Sequence, residues 1–212
     1  MPVICGFANA HCPAFWRFVL VLAFSSILAG ASQQPPATSQ PIVLAVPGGK
    51  IEVTLPDEPM TLSAGDLLNW VKNCAGTVAT YYGRFPVTHL SLRIRAGSGS
   101  SIRHGVTYPT DGGLILITVG REATTQALAG DWVLTHEMIH LAFPSMADEH
   151  HWIEEGISTY VEPVARAQAG RLPVAAVWKD FIRNMPKGQP SFGDAGLPVY
   201  LNTTKRTGSS LP

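Results

Sequence analysis

Residues 135–140 read Thr135-His136-Glu137-Met138-Ile139-His140, and Trp152-Ile153-Glu154-Glu155-Gly156 follows after a short loop. Around the first stretch, Ala127, Leu128, Trp132, Leu134, Met138, Ile139 and Leu141 recur at helical spacing, which predicts a helix over 123–142. Phe143-Pro144 ends it, because a proline disfavours helical geometry in the residue before it. Residues four apart on a helix share a face, so His136 and His140 can aim their imidazoles at one cation. Glu137 falls beside such an ion, where it can take the proton of a water that the ion activates. A tetrahedral zinc with two histidines still lacks one protein ligand.

The surroundings favour a cation. Four of the seven histidines fall within His136–His151, and residues 122–165 hold eight acidic residues and no Lys or Arg. The third ligand must come from residues 148–160, where the chain turns back and a second helix is predicted over Glu149–Ala169. Glu154, Glu155, His150 and His151 are the candidates. Adjacent helical residues point about 100° apart, so Glu154 and Glu155 cannot both face the ion. Gly156 tilts the choice towards Glu155, on the expectation that a glycine lets the two helices approach closely. Asp131 is read as a cap or salt-link residue. Met146 stands where one zinc-binding arrangement would need a histidine six residues after His140.

Upstream, alternation and turn residues predict strands and one more helix. Ile42–Val46 and Lys50–Leu55 flank Pro47-Gly48-Gly49 as a β-hairpin. Thr61 or Ser63 caps a helix reaching about Tyr82. Thr88–Ala96 is a strand with Leu90, Leu92 and Ile94 inward. Gly105–Thr107 forms a short strand, and Leu114–Val119 a strongly apolar one. A last helix is predicted over Val174–Asn184. The expected fold is therefore α+β: a small mixed β-sheet, then the histidine-bearing helix and C-terminal helices.

Length and composition narrow the rest. A chain of 212 residues suits one catalytic-sized domain, and 15 Lys+Arg against 15 Asp+Glu argues against a nucleic-acid binder. Residues 1–31 read as a signal peptide, with Arg17, an apolar core over Phe18–Leu28 and a small-residue cleavage site at Ala29-Gly30-Ala31. An uncleaved N-terminal membrane anchor is the other reading of that segment. Residues 32–41 form a linker, 42–184 the domain, and 185–212 an irregular or truncated tail. Cleavage would leave Cys74 as the one cysteine, which fits a periplasmic or secreted protein without disulfides and with no stable membrane insertion. Arg84, Arg93, Arg95 and Arg103 are read as a solvated strand face.

The pattern His-Glu-x-x-His, then Trp-apolar-x-Glu-Gly-apolar-small-x-Tyr, resembles the thermolysin-like, or gluzincin, zinc metallopeptidases, especially the peptidase MA-like and aminopeptidase-type catalytic domains. The resemblance covers Asp131–Tyr160. It implies a zincin-like domain, a zinc ion held by His136, His140 and Glu155, Glu137 as general base, and a peptide or protein substrate. It implies that Trp152 and Ile153 pack behind the third ligand. It also implies that the strand before the active-site helix, Gly113, Leu114, Ile115, Leu116, Ile117 and Thr118, is a sheet edge that holds extended substrate. A downstream Tyr or His usually stabilises the transition state in this family; Tyr160 and His151 are the leading candidates, with Tyr200 and His104 behind them. The fourteen residues between His140 and Glu155 are fewer than the aminopeptidase branch carries, and its Gly-x-Met-Glu-Asn stretch is absent from this sequence. The other expectation is an exported, non-catalytic binding or scaffold domain that keeps a zinc.

Overall fold

The computed structural model describes residues 40–147, 150–184 and 186. The expected signal peptide, most of the linker and nearly all of the tail, with Tyr200, lie outside the described residues. Among the described residues, no helix is long and apolar enough to cross a membrane.

The domain mixes α and β around a five-stranded sheet. Strands β1 (Ile42–Val46) and β2 (Gly49–Thr54) form the antiparallel hairpin, turning through Gly48 at φ 93°, where a side chain would be strained. Helix α1 (Ala64–Tyr82) crosses over to β3 (His89–Gly97), which pairs with β2 in parallel. Ser63 caps α1 in a reciprocal box with Asp66, and Gly83, left-handed at φ 79°, ends it. Strand β5 (Leu114–Gly120) lies parallel to β3, and β4 (Ile102–Tyr108) folds back antiparallel on its far side. The sheet order is β1-β2-β3-β5-β4.

Alternation decides which face is buried. Ile51, Val53, Leu90, Leu92, Ile94, Ile115, Ile117 and Val119 all face the helices and are buried, joined by Trp70, Val71, Val78, Leu134, Met138 and Ile139. On the opposite face of β3, Arg93 and Arg95 are both exposed.

Two expectations are corrected. Residues 123–142 do not form one helix but two, α2 (Thr125–Gly130) and α3 (Val133–His140). The break is local chemistry: Asp131 takes an extended conformation and its carboxylate accepts from the backbone N–H of Val133 at 3.0 Å and of Leu134 at 3.2 Å. The second correction concerns Gly113–Thr118. Strand β5 is hydrogen-bonded on both sides, so it cannot be the edge that receives a peptide; the edge on that side of the sheet is β4, which is also longer than the expected Gly105–Thr107.

Helices α4 (His151–Gln168) and α5 (Val174–Asn184) complete the described chain. Helix α3 packs on β4 and is flanked by α1 and α4. That packing sets the site at one end of the sheet, between its edge strand and two helices.

Candidate metal centre

Helix α3 presents His136 and His140 on one face, with Nε2 atoms 3.2 Å apart. Helix α4 brings Glu155 against them: its Oε2 lies 3.3 Å from His136 Nε2 and 3.8 Å from His140 Nε2. These three side chains form the one His/Cys/Asp/Glu group of metal-binding geometry found among the described residues. The triangle has the right size. Ligand atoms at about 2.05 Å from a tetrahedral zinc are separated by about 3.3 Å, the spacing seen here. Lone pairs so close repel one another unless a cation or a proton lies between them.

The protonation states fit the same ion. Burial and the neighbouring His136 push His140 down to about 4, leaving a neutral imidazole with a lone pair to offer. A hydrogen bond with His136 is the main cause that holds Glu155 at about 2 against the effect of burial, so it stays a carboxylate. His140 Nδ1 lies 3.3 Å from Ser158 Oγ on α4, a partner that can orient the ring. His136 Nδ1 is buried without a hydrogen-bond partner among the described residues. The buried side chain of Glu162, two turns beyond Glu155, pairs with Arg166 at 2.9 Å.

Glu137 stands apart from the triangle. It is 8% exposed, and burial raises its pKa while a hydrogen bond from Thr107 opposes the rise. Thr107 Oγ1, on β4, lies 2.6 Å from Glu137 Oε2 and 2.9 Å from the Glu137 backbone carbonyl. The single proton of Thr107 can go to one of these two oxygens at a time, and the N–H of Leu141, the usual α-helical donor to that carbonyl, goes to Ile139 instead. Next to Thr107, Gly105 makes the room: a Cβ there would sit 2.3 Å from Glu137 Cγ. Gly105 and Thr107 are site residues that the sequence reading missed. The available signal was a glycine inside a β-rich run, which often marks close approach of another group.

Other expectations fare differently. Gly156 does not bring the helices together, since a Cβ added there meets nothing within 4 Å; it faces away from α3. Trp152, expected to pack behind Glu155, is 41% exposed. Tyr160 is turned towards α5, its ring stacked on Phe181 at 5.5 Å, and is not among the residues gathered at the site. His151 is among them: its Nε2 lies 2.9 Å from Glu155 Oε1 and its Nδ1 3.3 Å from Glu154 Oε2. Glu154 is buried and points to the loop, accepting from the Met146 N–H. His104 is exposed at a β-bulge in β4, the one residue other than glycine with positive φ (44°) among the described residues. Asp131 caps α3 and also accepts from Trp70 Nε1 at 3.2 Å. Cys74 is buried, and burial drives its thiol up to about 12, which leaves no reactive thiolate.

No family model matches the chain, and no curated protein matches it in sequence. Among solved structures, the M1 zinc metallopeptidase from Deinococcus radiodurans is similar at 15% identity with a TM-score of 0.42, over 72% of this chain and 33% of that one. The chain thus spans about a third of that structure's length.

Proposed function

We propose that the protein is a zinc-dependent hydrolase of peptide bonds, of the gluzincin type with a zincin-like fold. One observation carries the reading: His136, His140 and Glu155 form a zinc-sized triangle, and a separate buried carboxylate, Glu137, stands beside it without joining it. A structural zinc site is closed by four protein ligands. Here the Glu155 side chain is 48% exposed, so the triangle opens to solvent on one side. That opening favours a catalytic site over a scaffold that merely keeps a zinc.

His136 and His140 would hold the ion through Nε2 and Glu155 through Oε2. Zinc bound there supplies Lewis-acid polarisation of a carbonyl and lowers the pKa of a water molecule. Glu137 accepts the proton of the attacking water and returns it to the leaving amine. Its burial raises its affinity for that proton, and Thr107 keeps the carboxylate aimed. Strand β4 supports the peptide class of substrate. As the terminal strand of the sheet it has an outer edge free of any strand among the described residues, beside Glu137, where an extended backbone could pair.

The test is Glu137→Gln against Glu155→Gln in purified protein, with zinc content and cleavage of a mixed library of unfolded peptides as readouts. Glu137→Gln keeps zinc and loses turnover by about 10²- to 10⁴-fold, because the amide cannot accept the proton. Glu155→Gln weakens zinc binding. A wild type that holds zinc yet cleaves no peptide returns the protein to the non-catalytic reading. Loss of zinc from both variants would show that Glu137 is a ligand.

A further inference from the structure

We infer that His151 is a positioning residue that makes Glu155 a one-oxygen ligand and ties the metal centre to the loop before α4. The inference rests on the zinc reading of His136, His140 and Glu155. The two oxygens of Glu155 have different neighbours. Oε2 faces His136 and His140, whereas Oε1 lies 2.9 Å from His151 Nε2. His151 and Glu155 are four apart on α4, the spacing at which helical side chains meet, so one helix supplies both the ligand and its brace.

His151 is itself oriented. Its Nδ1 lies 3.3 Å from Glu154 Oε2, and Glu154 Oε1 accepts from the backbone N–H of Met146. A line of polar contacts therefore runs from the Met146 backbone through Glu154, His151 and Glu155 to the two histidines of α3. Glu155 needs such a brace more than the histidines do. His136 is buried among packed residues, but the Glu155 side chain is half exposed, so its polar contacts carry more of the work of fixing its rotamer. A free carboxylate beside a cation can place both oxygens on it. Holding Oε1 aside leaves Oε2 for the ion and keeps the solvent-facing position open for water or a carbonyl. With both its nitrogens turned to carboxylates, His151 serves orientation rather than transition-state stabilisation.

The experiment compares wild type, His151→Ala, His151→Gln and Glu154→Gln, each stripped of metal and titrated with zinc, then with cobalt(II) for the visible spectrum. Removing a partner that orients a metal ligand typically weakens metal affinity by about 10- to 100-fold. His151→Ala is expected to fall in that range, and its cobalt form to show the weaker visible absorption of a higher coordination number. His151→Gln, which keeps an N–H donor four residues before Glu155, should recover most of the affinity and the wild-type spectrum. Glu154→Gln keeps an acceptor for Met146 but loses the one facing His151, and should shift both readouts in the direction of His151→Ala. Metal-free melting separates a brace from a packing residue: the alanine variant should melt where metal-free wild type does. Wild-type zinc affinity and an unchanged cobalt spectrum in His151→Ala would overturn the inference while leaving the zinc reading intact. So would a loss of melting temperature in the metal-free state as large as the loss with zinc. A wild type that binds no zinc would sink both together.

Discussion

Gly105→Ala is the sharpest test of how the carboxylate of Glu137, the proposed general base, is held. The φ of Gly105 lies outside the left-handed region, so the glycine is needed there for room and not for conformation. An added Cβ would lie 2.3 Å from Glu137 Cγ, 2.6 Å from Oε1 and 2.7 Å from Cδ. Carbon atoms in contact sit about 3.5–4.0 Å apart, so Glu137 or β4 must give way by more than about 1 Å. Neither moves freely: Glu137 is buried, and β4 is bonded to β5 behind it. Overpacking of this kind costs about 1–3 kcal/mol, or a fall in melting temperature of roughly 2–12 °C for a domain of this size. A displacement near 1 Å at a catalytic group also costs turnover on the order of 10²-fold. The decisive measurement is a double-mutant cycle with Glu137→Ala, read by thermal melting of metal-free protein. Glu137→Ala removes all three atoms in the clash, so Gly105→Ala should cost little in that background, giving a coupling of about 1–3 kcal/mol. Equal costs in the two backgrounds would refute the reasoning, because the strain would then lie elsewhere in β4.

Further outcomes follow from the same contacts. Thr107→Val removes the donor that lowers the Glu137 pKa; Glu137 acts when deprotonated, so the acidic limb of kcat/KM should move to higher pH, and a limb that stays put or moves down would contradict it. In metal-free protein, burial raises the Glu137 pKa above 4.5, so its contribution to stability is present below the unfolded value and is lost as pH rises through the folded one; Glu137→Gln should therefore melt higher than wild type at pH 7 and gain less at pH 4. Ser158→Ala, by freeing His140 Nδ1, should weaken zinc binding by about 10- to 100-fold in a competitive chelator titration. Zinc at a hundred times its Kd should stabilise the fold by about 2.7 kcal/mol, seen as a drop in melting temperature on chelation.

What could be read in the sequence was local. The hairpin, α1 with its Ser63 cap, β3 and α5 each show their own periodicity or punctuation within a few residues, and each forms where the pattern puts it. The spacing of His136 and His140 also sufficed to put their rings side by side. Non-local pairing was not legible. That β4 folds outside β5 is decided by sheet order, and the bulge between Arg103 and Gly105 breaks the alternation by which β4 would be recognised at full length. Gly156 misleads for a related reason: which face of α4 meets α3 is not written in the local sequence. The residues that bring β4 close to α3 are Gly105 and Thr107, forty-nine or more positions upstream.

The short length of α3 explains why such distant residues matter. Its eight residues are fewer than the roughly 12–15 that an isolated helix needs to persist in water. Its geometry is therefore imposed from outside. Asp131 fixes its first turn by accepting from Val133 and Leu134, and is itself held by Trp70 of α1. Thr107 of β4 holds Glu137 in its last turn, within hydrogen-bond distance of both its carboxylate and its carbonyl, and Ser158 of α4 faces His140. Each anchor comes from a different element, and each is polar, so α3 cannot slide or rotate by one residue without leaving buried polar groups unpaired. A one-residue rotation turns side chains by about 100° and would take both histidines off Glu155. The same three contacts that stabilise a marginal helix thus define the triangle of donor atoms. A substitution at Trp70, far from the site in sequence, should then lower zinc affinity together with stability, because the anchor of the first turn is lost.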